Sequence, residues 1–158
     1  MTEAPRLSRR ALLMSTGAFA LPACTTVPPR MTNAVAVAAV TAAELAFAKT
    51  MADRDLDAFA RLVAVDAVFT NGGQPLVGRE AIKAAWAPLY AKPQPPFSWK
   101  PDLVVVVASG DLGNSTGPVA RPDGTVGQRF YSTWRLERDG AWRVVFDDGY
   151  PICAKPAA

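Results

Sequence analysis

The side chains of this chain best suited to moving a proton are Asp147, Asp102 and Asp66 as carboxylate bases and Tyr90 or Tyr131 as phenol donors. There is no His among the 158 residues. That excludes a Ser-His-Asp triad, a Cys-His pair and every His-ligated zinc or iron site. Proton transfer would fall to carboxylates, Tyr, Lys or water. A carboxylate among apolar residues has its pKa raised toward the working range of a base. Asp147 is the first choice, with Tyr90 as its partner. The plainer alternative for Asp147-Asp148 is a solvated strand end, or a pair with Arg129 or Arg143. No cofactor and no metal is implied.

A second set of residues could form a greasy wall. Trp86 and Tyr90 lie one helical turn apart and would face the same neighbour. Trp99 and Trp134 sit in strand-like stretches, as does the polar Asn114. By period two, Phe130, Ser132, Trp134 and Leu136 share one face, with Arg129, Tyr131, Thr133 and Arg135 on the other. By the same rule Trp142, Val144, Phe146 and Asp148 fall together, opposite Arg143, Val145 and Asp147. Aromatic walls with a few polar groups make small-molecule pockets. The same residues also serve as plain core.

Several elements must position these groups. Asn33 to Arg54 is Ala-rich, free of Gly and Pro, and reads as one long helix. Thr41-x-x-Glu44 would be a capping box if that helix began late. Asp55 is the expected N-cap of a short second helix. Asn71-Gly72 predicts a tight turn between short strands at 67–70 and 75–77. Gly78-Arg79-Glu80 opens a third helix carrying Ile82, Trp86 and Tyr90. Four strands follow, at about 97–108, 111–121, 125–138 and 141–149, joined by Ser109-Gly110, Pro122-Asp123-Gly124 and Asp139-Gly140. Short turns force an antiparallel meander. The fold class is therefore α+β: three N-terminal helices packed on a strongly curved antiparallel sheet, as a cone with an open end.

The first 23 residues read as an export signal. Arg6, Arg9 and Arg10 precede an apolar stretch of about ten residues, too short to span a bilayer. Ser8-Arg9-Arg10-Ala11-Leu12-Leu13 resembles a twin-arginine signal. Leu21-Pro22-Ala23-Cys24 resembles a bacterial lipobox, which makes Cys24 the lipidation site and membrane anchor, followed by a tether over residues 24–32. Thr25 after the Cys favours the outer membrane if the cell has two. Setting residues 1–23 aside lowers the net charge from +3 to +1. The remaining basic residues are scattered, which argues against a nucleic-acid surface. Cys153 then has no partner within the chain, and residues 151–158 form a short tail after a domain at 33–150.

Order and residues together resemble the nuclear transport factor 2-like superfamily, in its SnoaL-like or ketosteroid-isomerase-like branch of small bacterial proteins. The resemblance rests on Asp53-Arg54-Asp55-Leu56-Asp57-Ala58, Asp66-Ala67-Val68-Phe69 and Gly78-Arg79-Glu80-Ala81-Ile82. It continues through Ser109-Gly110-Asp111-Leu112-Gly113, Trp134-Arg135 and Asp139-Gly140-Ala141-Trp142-Arg143-Val144, closing with Asp147. It implies a pocket between the helices and the concave sheet, and often a homodimer formed through the sheet, which the Val104–Val107 run would suit by burying both faces. Relatives often carry Tyr where Asn114 stands. Two functions follow as expectations. One is binding of a small apolar or amphipathic molecule, walled by Trp86, Tyr90, Trp99, Asn114 and Trp134. The other is a cofactor-free isomerase, lyase or hydrolase using a buried carboxylate. A structural dimerisation module is a third.

Overall fold

The computed structural model describes residues 33–70 and 73–152. The export signal, Cys24 and its tether, the Asn71-Gly72 turn and Cys153 lie outside the described residues.

Helix α1 runs Asn33–Asp53 and buries Ala36, Val40, Glu44, Phe47 and Met51 along one stripe, the spacing of a single helical face. It ends where Arg54 takes φ 63°. That left-handed residue lets the Asp55 N–H reach back to the Thr50 carbonyl at 2.9 Å. Asp55 then caps α2 (Leu56–Leu62), its Oδ1 accepting from the Ala58 N–H at 2.7 Å. The Arg54 guanidinium donates to the carbonyls of Met51, Leu89 and Lys92, tying this corner to the end of the third helix.

Strand β1 (Val63–Phe69) begins directly after α2, earlier than the expected Ala67, and pairs with the two-residue β2 (Leu76–Val77). Helix α3 spans Arg79–Tyr90. The expected strand at 97–108 is two pieces, β3 (Ser98–Trp99) and β4 (Leu103–Val106). Pro101, lacking an N–H, lies in the gap. The meander continues as β5 (Leu112–Ala120), β6 (Val126–Leu136) and β7 (Trp142–Pro151). Strand order is β2-β1-β7-β6-β5-β3, with β4 also on β5. The sheet is mixed, not wholly antiparallel as the turns suggested: β1 lies parallel to β7, with Phe69 opposite Asp147. Parallel neighbours need a long crossover, and everything from β2 to β6 supplies it.

Three irregularities bend the sheet, one between Val63 and Val68 on β1, one at Val119/Ala120 and one opposite Thr133/Trp134. α1 sits close against β5 on the concave side. A Cβ on Gly113 would lie 2.9 Å from Val40 Cγ2, and one on Gly117 only 2.0 Å from the Lys100 carbonyl oxygen. Phe47, Phe59, Phe69 and Trp134 are each at most 1% exposed. Full burial of such a side chain contributes about 1.5–3 kcal/mol. The convex face is open: Val105, Tyr131, Phe146 and Tyr150 are exposed. In the single chain the Val104–Val107 run is therefore covered on one face only.

Candidate functional site

The concave side of the sheet and helices α1 and α3 enclose a cleft of about 340 Å³. α1 contributes Phe47 and α3 contributes Trp86 and Leu89. The segment before β3 contributes Phe97, and β3 itself Trp99. β6 gives Gln128 and Phe130, and β7 gives Asp147 and Gly149. The rings brace one another. Phe59 is stacked between Phe47 (centroids 5.1 Å apart) and Trp86 (4.9 Å). Trp99 stands edge-on to Phe47 at 5.6 Å, and Phe97 lies 5.8 Å from Trp99. Such pairs hold geometry beyond what burial alone supplies.

Asp147 reaches this cleft because β7 carries a bulge. Thr133 pairs with Phe146 and Trp134 with Val144, so Val145 is an extra residue. The insertion reverses the alternation beyond it. Trp142, Val144 and Asp147 are buried, whereas Phe146 is 56% exposed. This corrects the strict period-two expectation, which grouped Phe146 with Trp142 and Val144 and set Asp147 opposite them. Asp147 is 7% exposed, and its Oδ2 accepts the Ser132 hydroxyl at 2.8 Å.

Below the aromatic wall lies a polar knot absent from the sequence reading. Glu44 is wholly buried in the middle of α1. Its Oε1 accepts the Trp99 indole N–H at 2.7 Å. Its Oε2 accepts the Trp134 indole N–H at 2.9 Å and the Ser115 hydroxyl at 2.5 Å. The expected capping box does not form. α1 already runs from Asn33, and the Thr41 hydroxyl donates to the Val37 carbonyl at 2.8 Å. The available signal was position: Glu44 falls on the stripe of Val40, Phe47 and Met51.

The other expected site residues lie elsewhere. Tyr90 is buried but does not line the cleft; its hydroxyl is 2.8 Å from Thr50 Oγ1, and the Arg54 guanidinium lies 5.4 Å from its ring centre. Burial pushes the Tyr90 phenol up to about 12, against the opposing hydrogen bond to Thr50. Trp134 is fully enclosed in the Glu44 knot and is not part of the wall. Asn114 points to the other side of β5 from Ser115 and donates to the Ser132 carbonyl at 3.1 Å. Tyr131 is on the convex face, 6.0 Å from Tyr150. Asp102 is held by Arg129 and Asp66 by Arg135, both in exposed pairs. Hydrogen bonds from those guanidinium groups hold both carboxyls below the ordinary range. Arg143 is engaged with Asp139. Among the described residues no three metal-ligating side chains come together.

No curated protein matches the sequence. The fold is similar to several solved structures. One is a nuclear transport factor 2-like protein of unknown function from Pseudomonas putida, with TM-score 0.64 and 19% identity, covering 80% of this chain and 93% of that one. Another is a ketosteroid isomerase-like protein from Erwinia carotovora atroseptica, with TM-score 0.60 and 16% identity, covering 75% and 97%. A third is a nuclear transport factor 2-like protein of unknown function from Silicibacter pomeroyi, with TM-score 0.60 and 23% identity, covering 77% and 100%. At these identities the likeness establishes the fold alone. Residues 45–145, well over half of the chain, match the SnoaL-like domain family. With three helices on a curved sheet, an aromatic cleft between them and that match, the chain belongs to the SnoaL-like domain family of the nuclear transport factor 2-like fold.

Proposed function

We propose that this protein binds a small apolar or amphipathic molecule in the cleft between α1, α3 and the sheet. The observation that carries this reading is an aromatic wall around a single inward carboxylate, in a space of about 340 Å³. Ligand pockets span roughly 300–1,000 Å³. Among the described residues no Tyr lines the cleft, so no phenol stands beside Asp147 to hold an oxyanion. Native mass spectrometry of the purified protein tests the reading. A small-molecule adduct that is lost on denaturation, and weakened in Trp86→Ala, is the expected result. Absence of any adduct, together with unchanged Trp fluorescence across a panel of apolar and amphipathic compounds, would refute it.

One observation favours a second reading, a cofactor-free isomerase, lyase or hydrolase. Asp147 is buried among rings, the setting that suits a carboxylate base. Turnover of a model enone or lactone that disappears in Asp147→Asn would establish that reading over simple binding.

Two further proposals concern location and assembly. The order of Arg9-Arg10, the apolar stretch and Leu21-Pro22-Ala23-Cys24 supports export and lipid anchoring at Cys24. Palmitate labelling that persists in Cys24→Ala would refute lipidation there. The exposed Tyr131, Phe146 and Tyr150 on the convex face support a homodimer through the sheet.

A further inference from the structure

The wall of the cleft carries acid and no base. Among the described residues no Lys or Arg lines it, whereas the inward-facing Asp147 does. The guanidinium groups around the sheet are engaged outside the cleft: Arg129 with Asp102, Arg135 with Asp66 and Glu137, and Arg143 with Asp139. Burial pushes the Asp148 carboxyl up, but hydrogen bonds with Tyr150, Thr70 and the Gly149 N–H outweigh it and hold the group below the ordinary carboxylate value. Asp148 stands opposite Tyr131, so it turns that carboxyl to the convex face, and Asp147 is the carboxyl that faces the cleft.

The rings add to this field. The face of an aromatic ring carries negative potential, and a cation over it is stabilised by about 0.5–2 kcal/mol, more as water is removed. Trp99 is a strong donor of this kind. Its N–H donates to the Glu44 carboxyl at 2.7 Å, and such a hydrogen bond pushes electron density away from the N–H edge and enriches the ring. An anion entering this cleft would meet carboxylate and ring faces with no counter-charge. A neutral molecule would fill the space but would strip water from Asp147 and return no charge to it.

Resting on the ligand-binding reading above, we propose that the molecule bound is an organic cation: an ammonium or quaternary ammonium head on an apolar body. The head sits against Asp147 among the rings of Phe47, Trp86, Phe97, Trp99 and Phe130. The aliphatic side of the cleft takes the apolar body.

The test is a matched set of probes titrated into the full-length protein and followed by Trp fluorescence. Benzyltrimethylammonium and neopentylbenzene share one heavy-atom skeleton and differ only in a quaternary nitrogen against a quaternary carbon; phenylacetate supplies the opposite charge. The cation is expected to bind about tenfold tighter than its neutral isostere or better, with phenylacetate weakest. In Asp147→Asn the affinity for the cation should fall about tenfold while that for neopentylbenzene stays within about twofold. If neopentylbenzene binds as tightly as the cation, the cleft is a binding site and the cationic ligand is overturned. If none of the three binds, the binding reading and this proposal fall together. Should Asp147→Asn not fold, the two isosteres on the unsubstituted protein still decide.

Discussion

Replacing Glu44 by Gln tests whether the buried knot holds the cleft in shape. Gln fills the same volume but offers one carbonyl oxygen where Glu44 offers two. In the structure one oxygen serves Trp99 and the other serves Trp134 and Ser115. The amide oxygen can serve only one side. Its NH₂ then faces an indole N–H, a donor that cannot reverse. Ser115 can rotate, and Trp134 keeps its contact with the Ser115 hydroxyl at 2.9 Å, so the loss centres on one indole. An unsatisfied buried donor costs about 1–3 kcal/mol. With a urea m-value of about 1–3 kcal/mol/M for a small domain, the unfolding midpoint should fall by about 1 M at unchanged slope. Near-UV circular dichroism should change as well, because Trp99 and Trp134 lose a fixed orientation. A Glu44→Gln variant within about 0.5 kcal/mol of the parent, with an unchanged Trp spectrum, would refute the reasoning.

Other outcomes follow from the same structure. Gly117→Ala should destabilise by about 3 kcal/mol or more, since its Cβ would meet the Lys100 carbonyl, while Gly113→Ala should cost about 1–3 kcal/mol because the Val40 side chain can shift; thermal unfolding of both variants checks the order. Tyr90 has a folded-state pKa raised from 10.0 to about 12, so the unfolded chain ionises first and stability should decline as pH climbs between those values; Tyr90→Phe should flatten that limb in pH-dependent urea titrations. Asp139 is held down to about 2, chiefly by the Arg143 hydrogen bond, so its contribution is present above pH 3.8 and is lost as pH falls toward 2. Asp139→Asn should remove that part of the acid slope, as read by unfolding at pH 2 to 5. Phe146→Glu should shift sedimentation toward monomer if the convex face joins two copies, and leave it unchanged if another surface does.

The helices were legible because their signals are local. The Gly- and Pro-free run ending near Arg54, the Asp55 cap and the Gly78-Arg79-Glu80 opening all act within one or two turns of the residues they govern. The inward set on β6 was legible for the same reason, since no bulge interrupts Phe130, Ser132 and Trp134. The remaining features depend on partners distant in sequence. Turn chemistry reports neighbours along the chain, so it was silent on β1 lying parallel to β7. Period two assumes an unbroken ladder, and Val145 breaks it. Glu44 looked like a capping group because its acceptors' partners, Trp99, Ser115 and Trp134, are brought to it only by folding. Of the expected wall, Trp86 and Trp99 do face the cleft, while Tyr90, Asn114 and Trp134 find hydrogen-bond partners outside it.

The extra residue at Val145 has a consequence for how this sequence could drift. Because Val144 stays opposite Trp134 and Asp147 opposite Ser132, deleting that one inserted position would restore a regular ladder and still leave Asp147 inward and Phe146 outward. Loss of a residue at the bulge is thus one change in length that the acidic lining survives, whereas a one-residue slip elsewhere along β7 would turn the strand's inward set over to the outer face.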